Sequence, residues 1–166
     1  LAVIAPDLSP GGGQMFAISL ANDWHRRGGR VVLINAHYLP THPAVVSKVA
    51  SGVAFYDAKE ERFDLAQIVM RYGVDVIHSS TWWADALVDS YRNALPAGVP
   101  WVVSMHGCYE TLLQRPGIDR SFPDRMPRMI KRADAWVYTA EKNLAVYDVY
   151  GRPARLSRIP NGMPQE

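Results

Sequence analysis

The chain has 166 residues, of which 48% are apolar and 20% charged, with 18 basic against 16 acidic side chains and a formal net charge of +2. That balance suits one globular domain of ordinary size and excludes a disordered chain, a collagen-like repeat and a charged coiled coil. A domain built to hold nucleic acid carries a stronger basic excess, so no nucleic-acid partner is expected. The one cysteine, Cys108, cannot form an internal disulfide, which points to a reducing, cytoplasmic setting. Apolar runs are too short to span a bilayer. The chain opens inside what reads as a strand rather than on a methionine, so no signal peptide is expected, and the start looks trimmed.

Leu1-Ala-Val-Ile-Ala5 is a short apolar run of strand length, followed by the turn Ser9-Pro-Gly-Gly-Gly13. From Gln14 the period changes: Phe16, Leu20 and Trp24 fall four apart with Ala17 and Ala21 beside them, giving a helix with one apolar face. Gly28-Gly29 closes it, with Arg26 and Arg27 at its negative end. Arg30–Asn35 is a second strand. A short helix near Val45–Ala50, a strand at Val53–Tyr56 and a helix at Glu60–Tyr72 follow. Next come a strand at Asp75–Ser79, a helix at Trp83–Leu95 and a strand at Pro100–Met105. Pro123–Arg132 is partly helical, with Pro127 limiting its regularity. Ala135–Thr139 is a strand, Glu141–Tyr150 a helix, and Leu156–Ile159 a last short strand.

Strands and helices alternate, and the strands are continuous apolar runs. That pattern predicts an α/β fold, a doubly wound parallel sheet of Rossmann-like type covered on both faces. The turn-forming Pro160-Asn-Gly-Met-Pro164 marks a boundary, so residues 1–160 form the domain.

Ligands of open parallel sheets bind beyond the carboxyl ends of the strands. Gly11, Gly12, Gly13 and Gln14 lie at the first such end. Glycines there let a backbone approach a ligand, and the helix start offers free N–H groups to an anion. A tight strand-to-helix turn also needs glycine for its own sake, so both readings stand. The loop departs from the dinucleotide fingerprint, since Phe16 replaces the third small residue and Asn35 replaces the ribose-binding acid. It is no Walker loop either, since no Gly-Lys-Ser/Thr follows.

His106 closes another strand and precedes a glycine; it is either a hydrogen-bonding group at the site or a structural histidine. His78 reads as structural. Trp82 and Trp83 begin a helix at the binding edge, where either could stack on a sugar or serve the core. Residues 115–132 hold Arg115, Arg120, Arg125, Arg128, Lys131 and Arg132 against Asp119 and Asp124. With Phe122, Met126, Met129 and Ile130 interleaved, this stretch is a candidate peripheral membrane contact or a solvated helix face. Cys108 has no base partner in sequence and is not read as a nucleophile.

Four segments together resemble the N-terminal half of GT-B glycosyltransferases, in particular the large retaining family 4. They are Ala5-Pro-Asp-Leu-Ser-Pro-Gly-Gly-Gly-Gln14 with its following helix, Asp75-Val-Ile-His78, Val103-Ser-Met-His-Gly107, and Ala133–Thr139 with Arg158-Ile-Pro-Asn-Gly162 downstream. The resemblance implies one half of a two-domain hexosyltransferase-type enzyme that moves a sugar from a nucleotide-sugar donor to a glycan or lipid-linked acceptor. It assigns donor-phosphate contact to Gly11, Gly12 and Gly13. Gln14, Trp82 and Trp83 would meet the acceptor, and His106 the reacting sugar. Asn161 and Gly162 would open the interdomain hinge at residues 161–166, ahead of a C-terminal donor-binding half. No cofactor and no metal are implied, and the isolated domain would be inactive. Thr139 stands where the family usually has serine. The alternatives are a non-catalytic flavodoxin-like binding module and another GT-B enzyme, such as a sugar-nucleotide epimerase.

Overall fold

The computed structural model describes residues 1–58, 63–107, 109–160 and 162. Cys108 and Asn161 therefore lie outside the described residues, as does Glu60, the expected start of a helix. Seven strands form one sheet: β1 (Ala2–Ala5), β2 (Val32–Asn35), β3 (Ala54–Asp57), β4 (Ile77–Ser80), β5 (Trp101–Met105), β6 (Ala135–Tyr138) and β7 (Leu156–Arg158). The order is β3-β2-β1-β4-β5-β6-β7, and every neighbouring pair is parallel. The expected doubly wound, Rossmann-like sheet is what the chain forms. The order reverses between β1 and β4, which places the switch point there.

The helices are α1 (Gly12–Arg26), α2 (Pro43–Val46), α3 (Leu65–Arg71), α4 (Trp82–Tyr91), α5 (Tyr109–Gln114), α6 (Phe122–Arg132) and α7 (Leu144–Tyr150). Alternate strand residues feed two cores. Val3, Ala5 and Leu33 pack with Ala17, Ile18 and Ala21 of α1 on one face. Ile4, Ile34, Trp101 and Trp136 join the larger cluster with α3, α4, α6 and α7 on the other.

The apolar face of α1 is rotated from the expected one. Ala17, Ile18 and Ala21 are buried, whereas Phe16 and Leu20 are half-buried and Trp24 is 42% exposed. Small residues win the core side because α1 lies close on the sheet; Trp24 instead covers Gly29, where an added Cβ would stand 2.1 Å from its Nε1. Helix α3 begins at Leu65 because Asp64 caps it, its carboxylate accepting from the amides of Ala66 and Gln67 at 3.0 and 3.2 Å. Pro127 does not break α6, which runs unbroken from Phe122 to Arg132. Helix α5 was not anticipated; it forms on Tyr109 and Leu112, both buried.

Phe122, Met126, Met129 and Ile130 are core residues, between 0 and 4% exposed. Arg128 and Arg132 pair with the fully buried Asp89 of α4, and Arg125 donates to the Ala86 carbonyl. The apolar face expected to meet a membrane is therefore spent on the core, and three of its cations are bound within the domain. No helix among the described residues is long and apolar enough to cross a membrane.

Candidate active site

A crevice of about 1000 Å³ opens at the carboxyl ends of the strands and runs down the α1 side of the sheet. Gly12 and Gly13 form one wall, His106 and Gly107 another, and Thr139–Asn143 a third. Val102, Ser104 and Val137 make its floor, because no helix among the described residues covers that part of the sheet face.

The three glycines do different things. Gly11 is the residue before α1 and has an extended backbone (φ −178°) that any residue can adopt. It is small because the side chain of Gln14 folds back over it: an added Cβ would stand 2.3 Å from Gln14 Oε1. Gly13 packs against Thr81, with only 2.6 Å between an added Cβ and Thr81 Cγ2. Gly12 has nothing within 4 Å and faces the crevice. No side chain caps α1, so the Gly12, Gly13 and Gln14 amides remain unpaired among the described residues. A helix start of this length favours a negatively charged ligand group.

Gln14 does not enter the crevice. Its Nε2 donates to Asp7 Oδ1 at 3.0 Å, and the same oxygen accepts from the Ser9 amide at 2.9 Å and hydroxyl at 2.5 Å. Asp7 thus pins the loop to the end of β1. Sequence periodicity had no way to show this local pairing.

His106 is half-buried, and burial pushes its imidazole down to about 4. Its ring lies against Phe16 of α1, centroids 3.8 Å apart, and its Nε2 is buried with no hydrogen-bond partner. His78 lies 5.8 Å from the same Phe16 ring. Its Nε2 is 2.9 Å from Ser104 Oγ, and burial, with His106 nearby, lowers it also to about 4. Both rings are neutral at pH 7, and each keeps one ring nitrogen unpaired: Nδ1 of His78 and Nε2 of His106. Gly107 follows with φ +60°, the left-handed turn that swings the chain away from the imidazole. The opposite wall is clamped by buried Asn143, which accepts from the Ala140 amide at 3.0 Å and donates to Glu110.

Trp82 and Trp83 part company. Trp82 is fully buried and donates Nε1–H to Asp119 Oδ2 at 2.6 Å, so an acceptor cannot stack on it, contrary to expectation. Trp83 stays half-buried, its ring 5.3 Å from Tyr38. Gly162 lines the crevice mouth, while its neighbour Asn161 is outside the described residues.

The crevice lies at the carboxyl ends of the strands, with an uncapped helix start on one side and a neutral imidazole on the other. The family model described as Glycosyltransferase Family 4 matches residues 10–166, and the chain belongs to that family. It is an N-terminal-type GT-B domain, and glycosyl transfer is its class of activity. A solved sucrose-phosphate synthase structure from Thermosynechococcus elongatus shares the fold, with a TM-score of 0.57 and 15% identity over 98% of this chain and 88% of that one. No curated protein matches the chain.

Proposed function

We propose that the chain is the acceptor-side half of a retaining, hexosyltransferase-type enzyme of the cytoplasm. It moves a sugar from a nucleotide-sugar onto a glycan or lipid-linked acceptor. A donor-binding half follows a hinge at Asn161–Gly162 and closes over the crevice. The observation that carries this reading is that Gly12 and His106 face the same open space.

The chemistry follows from those two groups. The bond between the anomeric carbon and the diphosphate oxygen breaks, and charge grows on the leaving phosphate. The unpaired amides at the start of α1 stabilise that charge where it develops. Because Gly12 carries no side chain, the phosphate can come within hydrogen-bond reach of the backbone. The neutral His106, which lines the crevice, meets a hydroxyl of the donor sugar and orients the anomeric carbon. The acceptor oxygen attacks from the leaving group's own face, which retains configuration, and its proton passes to the departing phosphate. No nucleophile from this half is needed, and neither is a metal.

The test is sugar transfer by the intact enzyme from radiolabelled UDP-glucose and related donors. Gly12→Val and His106→Ala should each lower kcat by about a hundredfold, the scale of losing one charge-stabilising contact. The chain alone should transfer nothing. Unchanged turnover in both variants would overturn the assignment.

A further inference from the structure

Phe16 belongs to neither hydrophobic core. Helix α1 turns Ala17, Ile18 and Ala21 inward, and Phe16 leaves its flank to line the crevice. A dinucleotide-binding loop has a small residue at this position, which lets its helix lie close on the strands. A phenyl ring fits here because the sheet face beside α1 is open: among the described residues no helix covers Val102, Ser104 and Val137. The ring reaches past β4 to the end of β5, where it meets two imidazoles, those of His78 and His106.

Strand parity explains the meeting. Val3, His78 and Val102 are partners in register across β1, β4 and β5, so they share the face on which α1 lies. Alternate residues of β5 carry that face through Ser104 to His106, just past the strand end. His78 is tethered there, its Nε2 2.9 Å from Ser104 Oγ. His106 has no such tether. Among the described residues no hydrogen bond holds its imidazole, and Gly107 at φ +60° turns the chain away behind it. The contact on its ring is Phe16, centroids 3.8 Å apart and planes at 37°. Phe16 also stands four residues after Gly12, one turn along the same helix face. One rigid helix thus carries both the amides offered to a phosphate and the ring that bears on the imidazole.

We propose that Phe16 is a positioning residue for sugar transfer: its ring, in place of a hydrogen bond, fixes the His106 imidazole relative to the start of α1 and keeps water off its buried nitrogen. The inference rests on the glycosyltransferase reading and deepens it. An imidazole free to turn about its side-chain bonds presents a different edge at each turn, whereas a reacting sugar needs one fixed edge. The same exclusion of water fits the proton affinity of His106, which burial pushes down to about 4. Two other titratable side chains line the crevice among the described residues, His78 and Lys142. His78 is itself neutral at pH 7, and Lys142 lies 4.0 Å from Glu110 Oε1.

Histidine titrations followed by nuclear magnetic resonance test this on the chain, with His106→Ala locating the resonances. In the unaltered chain the His106 ring protons should be displaced by the ring current of Phe16 and titrate near 4. In Phe16→Ala the displacement should vanish and the midpoint rise toward the ordinary 6.5, because water reaches the imidazole. Phe16→Leu should lose the displacement and keep a low midpoint, since an aliphatic side chain still excludes water. Unfolding midpoints should change little, because Phe16 lies outside both cores. In the intact enzyme Phe16→Leu should lower kcat about tenfold with the donor KM little changed, and Phe16→Tyr should restore it. Phe16→Ala should add a loss of turnover as pH falls below 6.5, where the hydrated imidazole takes up a proton that the unaltered one refuses until near pH 4. An unmoved titration in folded Phe16→Ala, or a large loss of stability in both Phe16→Ala and Phe16→Leu, would overturn the positioning role. The two readings fail separately. Ring protons and a midpoint that depend on Phe16, with no sugar transfer by the intact enzyme, keep the Phe16–His106 coupling and sink the transferase. Transfer whose kcat and pH profile ignore Phe16 does the reverse.

Discussion

Gly12 and Gly13 are consecutive residues of the same first helical turn, yet a methyl group should act on them in opposite directions. In both, Ala lowers the entropy of the unfolded chain and favours helix, a gain of about 0.5–1 kcal/mol in a helix interior and less at its start. That term is nearly common to the two and cancels in the comparison. The difference is space: an added Cβ meets nothing at Gly12, but stands 2.6 Å from Thr81 Cγ2 at Gly13. Thr81 has little freedom to yield, since its backbone is already strained at φ 84°. Overpacking of this kind costs about 1–3 kcal/mol. The Gly12→Ala chain should therefore unfold at a temperature about 2–12 °C above that of Gly13→Ala, at roughly 2–4 °C per kcal/mol for a chain this size. Thermal unfolding followed by circular dichroism measures it. Adding Thr81→Gly to Gly13→Ala should recover most of the loss. Equal midpoints for the two single variants, or no recovery, would refute the argument. Gly12→Ala should at the same time impair transfer, because the methyl projects where a phosphate belongs.

Four further outcomes are expected. Asp85 is fully buried and bonded to Ser79 Oγ at 2.5 Å, and burial raises its carboxyl well above the ordinary 3.8. The native state therefore holds a proton the unfolded chain releases, so stability declines as pH rises above about 4; Asp85→Asn should remove that decline in urea titrations run from pH 4 to 9. His78 behaves oppositely. Lowered from 6.5 to about 4, it contributes stability that is present above 6.5 and lost as pH falls toward 4, on the order of 3 kcal/mol, and His78→Phe should flatten that window. Asp119→Ala strands the buried Trp82 Nε1–H, which should cost about 1–3 kcal/mol by chemical denaturation. Removing Arg128 and Arg132 together leaves the Asp89 carboxylate buried and unpaired, so the double variant should lower the melting temperature more than Asp89→Asn does.

Element type was legible along the chain because buried parallel strands leave continuous apolar runs such as Val32–Asn35 and Trp101–Met105. Side-chain direction was less so. The four-residue spacing of Phe16, Leu20 and Trp24 marks a stripe, but alanines took the core because α1 lies close to the sheet. The glycine run pointed to the right loop without separating its members, since Gly11 answers to Gln14, Gly13 to both Thr81 and the crevice, and Gly12 to the crevice alone. Trp82 and Trp83 were indistinguishable as letters; one helical step of 100° divides core from surface.

The crevice floor belongs to β5 and β6, while its rim is made of turns. A floor hydrogen-bonded on both sides into a seven-stranded sheet resists drift, whereas turns accept new side chains at little cost in folding. Adaptation to new sugars can therefore proceed by editing the rim around His106–Gly107 and Thr139–Asn143 while the platform beneath stays fixed. Laboratory evolution that confines diversity to those turns should keep most library members foldable.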